Sequence, residues 1–399
     1  MKTVLFVCYG SGHVRMVVPV ALAVQRARMA QVMVLGLTTA APVVRASGLP
    51  LLQFKDFVGA GDEIALRQGR ALLQALGEVD DPAESAVYLG LCYAELQAQV
   101  GPDEAQRRYQ RLGRQAFLPV ATLTRILEST KPDLVVVTNS PRAERAAVIA
   151  ARKLGIPAVC IVDLFAVDEV RWIGAVDYAQ RVCVLNEGVR EFLLAAGRTP
   201  GQVVVTGNPA FDALRDADIA QRGEDLRRLQ GWEQRRVLLW PSQAEPATHP
   251  FDGTPGDPQL PARVLAELVD WTLGQDNAVL CVRPRAGEPA PSLPASDRVV
   301  AAGQDWPLPE LLHAIDVVVT LTSTVGLEGH LCGARLVQVL GSVFEASMPL
   351  ARFGVADAAV PLQKLKQALD RWTAAPRRET AHARPPATPQ VVQVLAEFL

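Results

Sequence analysis

Two short segments carry residues whose types and spacing can act on a phosphorylated, hydroxyl-rich substrate. The first is Tyr9-Gly10-Ser11-Gly12-His13, directly behind the apolar run Val4 to Cys8. Gly10, Ser11 and Gly12 let a substrate approach the backbone, and the free N–H groups opening a following helix favour negative charge. His13, at the mouth of that loop, can serve as a general base or donate to a sugar or phosphate oxygen. The spacing is G-x-G-H rather than G-x-G-x-x-G, so a dinucleotide fingerprint is absent. Taken alone, the segment is equally an ordinary tight turn with His13 at the helix start. The second segment runs from Asp316 to Gly329, where a buried strand enters the turn Thr322-Ser323-Thr324 and then a helix. Such a turn offers hydroxyls and backbone N–H groups to a phosphate. A capping-box glutamate sits three residues after the cap, at Gly326 or Leu327 if Ser323 or Thr324 is the cap. Glu328 instead shares a stripe with Val325, Leu331 and Cys332. A carboxylate there is either unusually buried or turned to a cleft, and two vicinal ribose hydroxyls would satisfy it.

Other candidates stand at predicted strand ends, where ligand loops of parallel sheets lie. Arg283, in Val282-Arg283-Pro284-Arg285, can neutralise a diphosphate or be a plain surface arginine. Ser242 opens the proline-rich stretch Pro241 to Pro261, which also holds His249. Thr206-Gly207-Asn208-Pro209 reads first as a turn. Asn139-Ser140-Pro141-Arg142 and Asp163 end two neighbouring strands and can hold an acceptor, with Asp163 a second candidate base. His313, near a helix end, is expected to cap that helix.

Elements that place these residues alternate in type. Strands are predicted at Val4–Cys8, Val32–Leu37, Leu51–Phe54, Leu134–Val137, Ala158–Val162, Arg181–Leu185 and Val203–Thr206, then at Val237–Trp240, Ala278–Val282, Val317–Leu321 and Leu336–Leu340. Helical patterns between them imply βαβ units and a mostly parallel sheet in each half, an α/β fold. The expected organisation is a first domain over 1–207 with a helical insertion at about 62–130. A second domain covers 208–385, and a terminal helix over 386–399 packs back toward the first.

Composition narrows the function classes. The 399 residues are too many for one ordinary α/β core and comfortable for two. A net charge of −2 provides no global basic field for nucleic acid. The six cysteines are widely spaced without a CxxC, which suits buried thiols in a reducing compartment rather than a zinc site. No apolar run reaches the ~18 residues of a membrane span. A cytoplasmic protein is expected, with room for peripheral contact at the inner face of the membrane. Oligomeric state is not readable.

At these residues the chain resembles the GT-B glycosyltransferase superfamily. Gly10-Ser11-Gly12-His13 with Val18-Pro19-Val20-Ala21-Leu22-Ala23 resembles the glycine–histidine loop of the lipid-intermediate N-acetylglucosaminyltransferase of cell-wall synthesis. Val205-Thr206-Gly207-Asn208-Pro209-Ala210-Phe211-Asp212-Ala213-Leu214 is similar to a segment of the non-hydrolysing UDP-N-acetylglucosamine 2-epimerases. Ser323-Thr324-Val325-Gly326-Leu327-Glu328 resembles the donor-site helix start of surface-carbohydrate transferases. Two features depart from the epimerases: the arginine-bearing first loop is replaced by Gly10 to His13, and no doubled glutamate follows Gly326. The resemblance implies two Rossmann-like domains facing across a cleft and sugar transfer from a nucleotide-sugar, UDP-sugar foremost, to a carbohydrate or glycolipid acceptor. It implies Ser323 and Thr324 on phosphate, Glu328 on ribose and Arg283 on the diphosphate, with Thr322, Ser242, Asn208 and the Gly10–Gly12 loop completing the binding set. His13, or else Asp163, would deprotonate the acceptor. No cofactor and no metal are expected, since no Asp-x-Asp follows a strand. An epimerase or hydrolase of the same fold and a non-catalytic nucleotide-sugar binder are the rival readings.

Overall fold

The computed structural model describes residues 1–77, 79–250, 252–285, 287–288, 291–303, 305–378 and 385–399. The chain divides into two compact units, one formed by Met1–Ala210 with Pro386–Leu399, the other by Phe211–Pro385.

The first unit begins with β1 (Thr3–Cys8), α1 (Gly12–Arg26), β2 (Gln31–Gly36), α2 (Ala40–Ala46) and β3 (Leu51–Leu52). Four helices follow: α3 (Glu63–Gln74), α4 (Pro82–Val100), α5 (Pro102–Leu112) and α6 (Val120–Thr130). Then come β4 (Leu134–Thr138), α7 (Ala143–Lys153), β5 (Ala158–Ile161), α8 (Val170–Ile173), β6 (Arg181–Val184), α9 (Glu187–Ala195) and β7 (Val203–Val205). The strands form one sheet in the order β3-β2-β1-β4-β5-β6-β7, and every pairing is parallel. The strand order reverses between β1 and β4. Parallel strands with helices on both faces have no wet side, which is why Val4–Cys8 and Leu134–Val137 are continuous apolar runs, fully buried.

The second unit contains α10 (Ala217–Leu229), β8 (Arg236–Pro241), α11 (Leu260–Leu273), β9 (Ala278–Arg283), β10 (Val299–Ala301), α12 (Leu308–Ala314), β11 (Val317–Thr320), α13 (Thr324–Leu331), β12 (Arg335–Val339), β13 (Ala358–Val360) and α14 (Leu365–Ala374). Its parallel sheet runs β10-β9-β8-β11-β12-β13, with the reversal between β8 and β11. The last helix, α15 (Ala387–Ala396), places Val391, Val394 and Leu395 in the core of the first unit with α1.

Several details differ from the sequence expectation. The strand expected over Leu51–Phe54 stops at Leu52, because Phe54–Phe57 turns into a 3-10 helix held by Gln53 N donating to Asp56 Oδ2 at 2.8 Å. β10 and β13 are edge strands of three residues each, too short to show a period of two. His313 does not cap its own helix; its Nε2 meets the Leu214 carbonyl at 2.8 Å. Among the described residues no helix is long and apolar enough to cross a membrane.

The helical stretch before β4 is held by a close backbone crossing of α3 and α4. A Cβ added at Gly69 would lie 1.9 Å from Ala86 O and 2.7 Å from Gly90 N. Backbone atoms cannot yield as a side chain can, so overpacking here costs about 1–3 kcal/mol. Gly69→Ala is therefore expected to lower the urea unfolding midpoint of the full chain. An unchanged midpoint would mean the crossing is loose.

Candidate functional site

The reversal of strand order opens a crevice at the carboxyl edge of each sheet, because the connections on either side turn to opposite faces. In the first unit the β1–α1 and β4–α7 loops border it. Ser11, with φ 58° and ψ −130°, caps α1 in a conformation an L-residue adopts only under constraint. Gly10 is required for packing, since a Cβ there would fall 1.8 Å from Thr39 Oγ1. Gly12 faces open space, with nothing within 4 Å of its would-be Cβ.

His13 is half-buried at the start of α1, and its Nδ1 is buried without a hydrogen-bond partner. Glu144, in the first turn of α7 and fully buried, belongs to the same edge. Its Oε1 accepts from Tyr9 N at 2.9 Å and Thr138 Oγ1 at 3.1 Å, tying the ends of β1 and β4 together. Its Oε2 takes no hydrogen bond. Burial raises the Glu144 carboxyl above the usual range, and the nearby His13 opposes that rise. Two buried, unsatisfied atoms of an imidazole and a carboxyl that feel each other are the parts of an acid–base pair. Glu144 escaped the sequence reading because it lies inside a helical pattern, 131 positions from His13.

Arg142 precedes α7 with its guanidinium carbon 4.2 Å from the Tyr9 ring centroid, and it makes no ion pair among the described residues. The Tyr9 and Tyr88 hydroxyls lie 2.5 Å apart, so α4 of the helical stretch braces this side of the crevice. Further along the edge, Asp163 is bound into the scaffold. Its Oδ1 accepts from Asn139 Nδ2 at 2.8 Å and from Leu164 N at 2.7 Å, while its carbonyl accepts from Asn208 Nδ2 at 2.6 Å. Asn208 Oδ1 in turn accepts from Ala210 N at 2.8 Å. Asp163 and Asn208 therefore stitch together the ends of β4, β5 and β7. Glu169, six residues beyond Asp163, is pushed up to about 7, first by burial and then by the Asp163 charge.

In the second unit the crevice lies between β8 and β11. Gln243, which the sequence reading missed, bridges it. Its Oε1 accepts from Thr320 Oγ1 and Leu321 N, both at 2.8 Å, and from Thr322 N at 3.4 Å. Its Nε2 donates to Thr322 Oγ1 at 3.4 Å. Ser323 is the N-cap of α13, its Oγ accepting from Val325 N at 3.2 Å, and Thr324 is exposed at the helix start. Gly326 and Gly329 let α13 lie close on the sheet, since their Cβ atoms would meet Thr320 Cγ2 at 2.8 Å and Val318 Cγ2 at 2.5 Å. Glu328 is half-buried on the flank of that packed face and not in the core.

Arg283 and Ser242 have scaffold partners. Arg283 Nη1 donates to Trp306 O at 2.6 Å and Gly303 O at 3.5 Å. Ser242 Oγ donates to Glu288 Oε1 at 2.9 Å. The His249 ring packs 5.3 Å from the Phe344 ring, inside the loop behind β8. Among the described residues no three His, Cys, Asp or Glu side chains converge as a metal site.

Residues 276–357, from β9 to the approach to β13, match the family model for capsule polysaccharide biosynthesis proteins. No curated protein matches the sequence. Among solved structures the chain is similar to the S. aureus MnaA–UDP structure, with TM-score 0.59, 12% identity and coverage of 100% of this chain and 97% of that one. It is similar to UDP-GlcNAc 2-epimerase from Methanocaldococcus jannaschii, with TM-score 0.58, 13% identity and full coverage of both chains. It is also similar to the glycotransferase of kitacinnamycin, with TM-score 0.52, 15% identity and coverage of 100% and 94%. At these identities the likeness establishes the fold: two Rossmann-like α/β units in one chain, of the GT-B type.

The carboxyl edge of the first sheet carries a pH signature. Glu169 titrates near 7 in the folded chain against an ordinary value of 4.5, so the native state holds the extra proton. Its contribution to stability is complete below about 4.5 and disappears as pH rises through about 7. Glu169→Gln is expected to shrink the loss of thermal stability between about pH 5 and about pH 8. An identical pH profile in the variant would mean that Glu169 stays ionised throughout.

Proposed function

We propose that the chain is a glycosyltransferase of polysaccharide biosynthesis that moves a sugar from a nucleotide-sugar donor to an acceptor hydroxyl. The observation that carries this reading is the capsule-biosynthesis match, which spans the hydroxyl turn, the α13 start and Glu328. In this reading the N-terminus of α13 receives the donor phosphates, with Ser323 and Thr324 adding hydroxyl donors. Glu328, half-buried beside that turn, accepts from the ribose hydroxyls. The Arg283 donors left over from Trp306 and Gly303 lie at the edge of the same sheet for the diphosphate. Partial positive charge at the helix start stabilises the leaving nucleoside diphosphate without a metal ion. A UDP-sugar is the donor we favour, since the MnaA structure contains UDP.

In the first unit His13 removes the acceptor proton through its outward ring nitrogen. The Glu144 carboxylate, which feels the His13 charge, steadies the imidazolium that forms. Asp163 is the weaker base, because one of its oxygens is already saturated. Asn208 holds Asp163 in place, and Gly12 leaves room for the acceptor. Arg142, which makes no ion pair among the described residues, faces an acceptor that carries negative charge.

One observation favours a second reading, epimerisation of the free nucleotide-sugar: solved structures of similar fold include UDP-GlcNAc 2-epimerases. Incubating the chain with UDP-GlcNAc and no acceptor, followed by NMR, separates the two. Conversion of the sugar alone would replace transfer by epimerisation. For transfer, Glu328→Ala should weaken UDP binding in a thermal-shift titration while leaving the fold intact. His13→Ala should keep UDP binding and lower turnover by about 10²–10⁴. Unchanged nucleotide affinity in Glu328→Ala would remove the donor assignment.

A further inference from the structure

A second feature of the first unit lies away from the crevice loops. α7 turns its alanine face, Ala146, Ala147, Ala150 and Ala151, into the core. The opposite stripe, Arg145, Val148, Ile149 and Arg152, lines a cavity of about 450 Å³. Trp172 and Tyr178, from the segment after β5, complete its wall. The size falls within the range of small-molecule sites and is too large for a bare anion.

The charge balance of this cavity is one-sided. Lys153 and Arg171 join Arg145 and Arg152 in the lining, while the acid in the lining is Asp177, which pairs with Arg152. Arg145 and Arg171 make no ion pair among the described residues. Both guanidinium carbons lie 5.0 Å from the centroid of the Trp172 ring. Two like charges packed on one indole repel each other, and burial already disfavours the charge on Arg145. An anion placed between them removes that cost. Trp172 and Tyr178 are only 5% and 7% exposed, and the indole N–H and phenol O–H both lack a hydrogen-bond partner. Buried donors without a partner are uncommon. Val148, Ile149 and the indole face supply apolar surface beside the cations.

We propose that this cavity binds a phosphate ester with an apolar substituent, the phosphate between Arg145 and Arg171 and the substituent against Trp172 and the α7 stripe. Three cations left after the Arg152–Asp177 pair suit a phosphate dianion better than a single carboxylate, and guanidinium forks match phosphate geometry. The inference goes beyond the donor and acceptor readings and does not depend on them. The same chemistry is offered by a lipid headgroup and by a soluble phosphate ester.

Phenyl phosphate is the probe, titrated into the full chain by calorimetry and by tryptophan fluorescence. Wild type should bind it saturably. Arg145→Gln with Arg171→Gln should weaken binding at least about tenfold, the scale of one charged hydrogen bond lost. UDP-induced thermal shifts should not change in that variant. If the double variant does not fold, Arg171→Gln alone, at an exposed position, makes the same test. Co-sedimentation with phosphatidic acid vesicles that the variant loses supports the proposal and assigns the ester to a lipid. Variant-sensitive phenyl phosphate binding without vesicle binding supports it and assigns a soluble ester. Equal affinity of wild type and variant for phenyl phosphate overturns it, as does the absence of both saturable phenyl phosphate binding and variant-sensitive vesicle binding.

Discussion

Parallel strand pairing is the constraint on which the rest of this structure depends. Parallel neighbours cannot be joined by a tight turn, so every connection must cross over one face of the sheet and return. All carboxyl ends of the strands then lie along one edge. Where crossovers begin to turn to the opposite face, the edge splits into a crevice. In this chain that happens between β1 and β4 in one unit and between β8 and β11 in the other. The residues with chemical interest follow from that geometry.

The polar groups at these edges show how burial and reactivity are combined. Glu144 closes one crevice by accepting hydrogen bonds from the ends of β1 and β4, Gln243 behind β8 closes the other by accepting from the end of β11, and Asp163 accepts from the ends of β4 and β7 further along the first edge. A buried backbone N–H at a strand end must find an acceptor, and a side chain from the neighbouring connection is the nearest one. Such a side chain is a structural brace first. It becomes chemically interesting when one atom is left over, as Glu144 Oε2 is beside His13. The helical stretch before β4 joins the same edge through the Tyr9–Tyr88 contact, so it walls the crevice.

Much of the fold was legible in advance because buried parallel strands are continuous apolar runs. Val4–Cys8, Ala158–Ile161 and Val317–Thr320 announce themselves in this way, and Ser323 as a helix cap follows from local chemistry. Edge strands β10 and β13 were not legible, since three residues carry no periodicity. Within the candidate site, the close packing of Gly10 on Thr39, a residue that sits beyond β2, was not legible. Arg283 and Ser242 were read as free for a ligand although Trp306 and Glu288 partly engage them.

The sequence by itself determined the α/β class, the alternation of elements and the positions of the two glycine- and hydroxyl-bearing loops, because these rest on local periodicity and turn chemistry. Tertiary structure alone decided which loops share a crevice. Strand order is set by the packing of whole crossovers and leaves no mark on neighbouring residues. His13 comes within electrostatic reach of Glu144, and Gln243 bonds Thr322, only once β1 lies beside β4 and β8 beside β11.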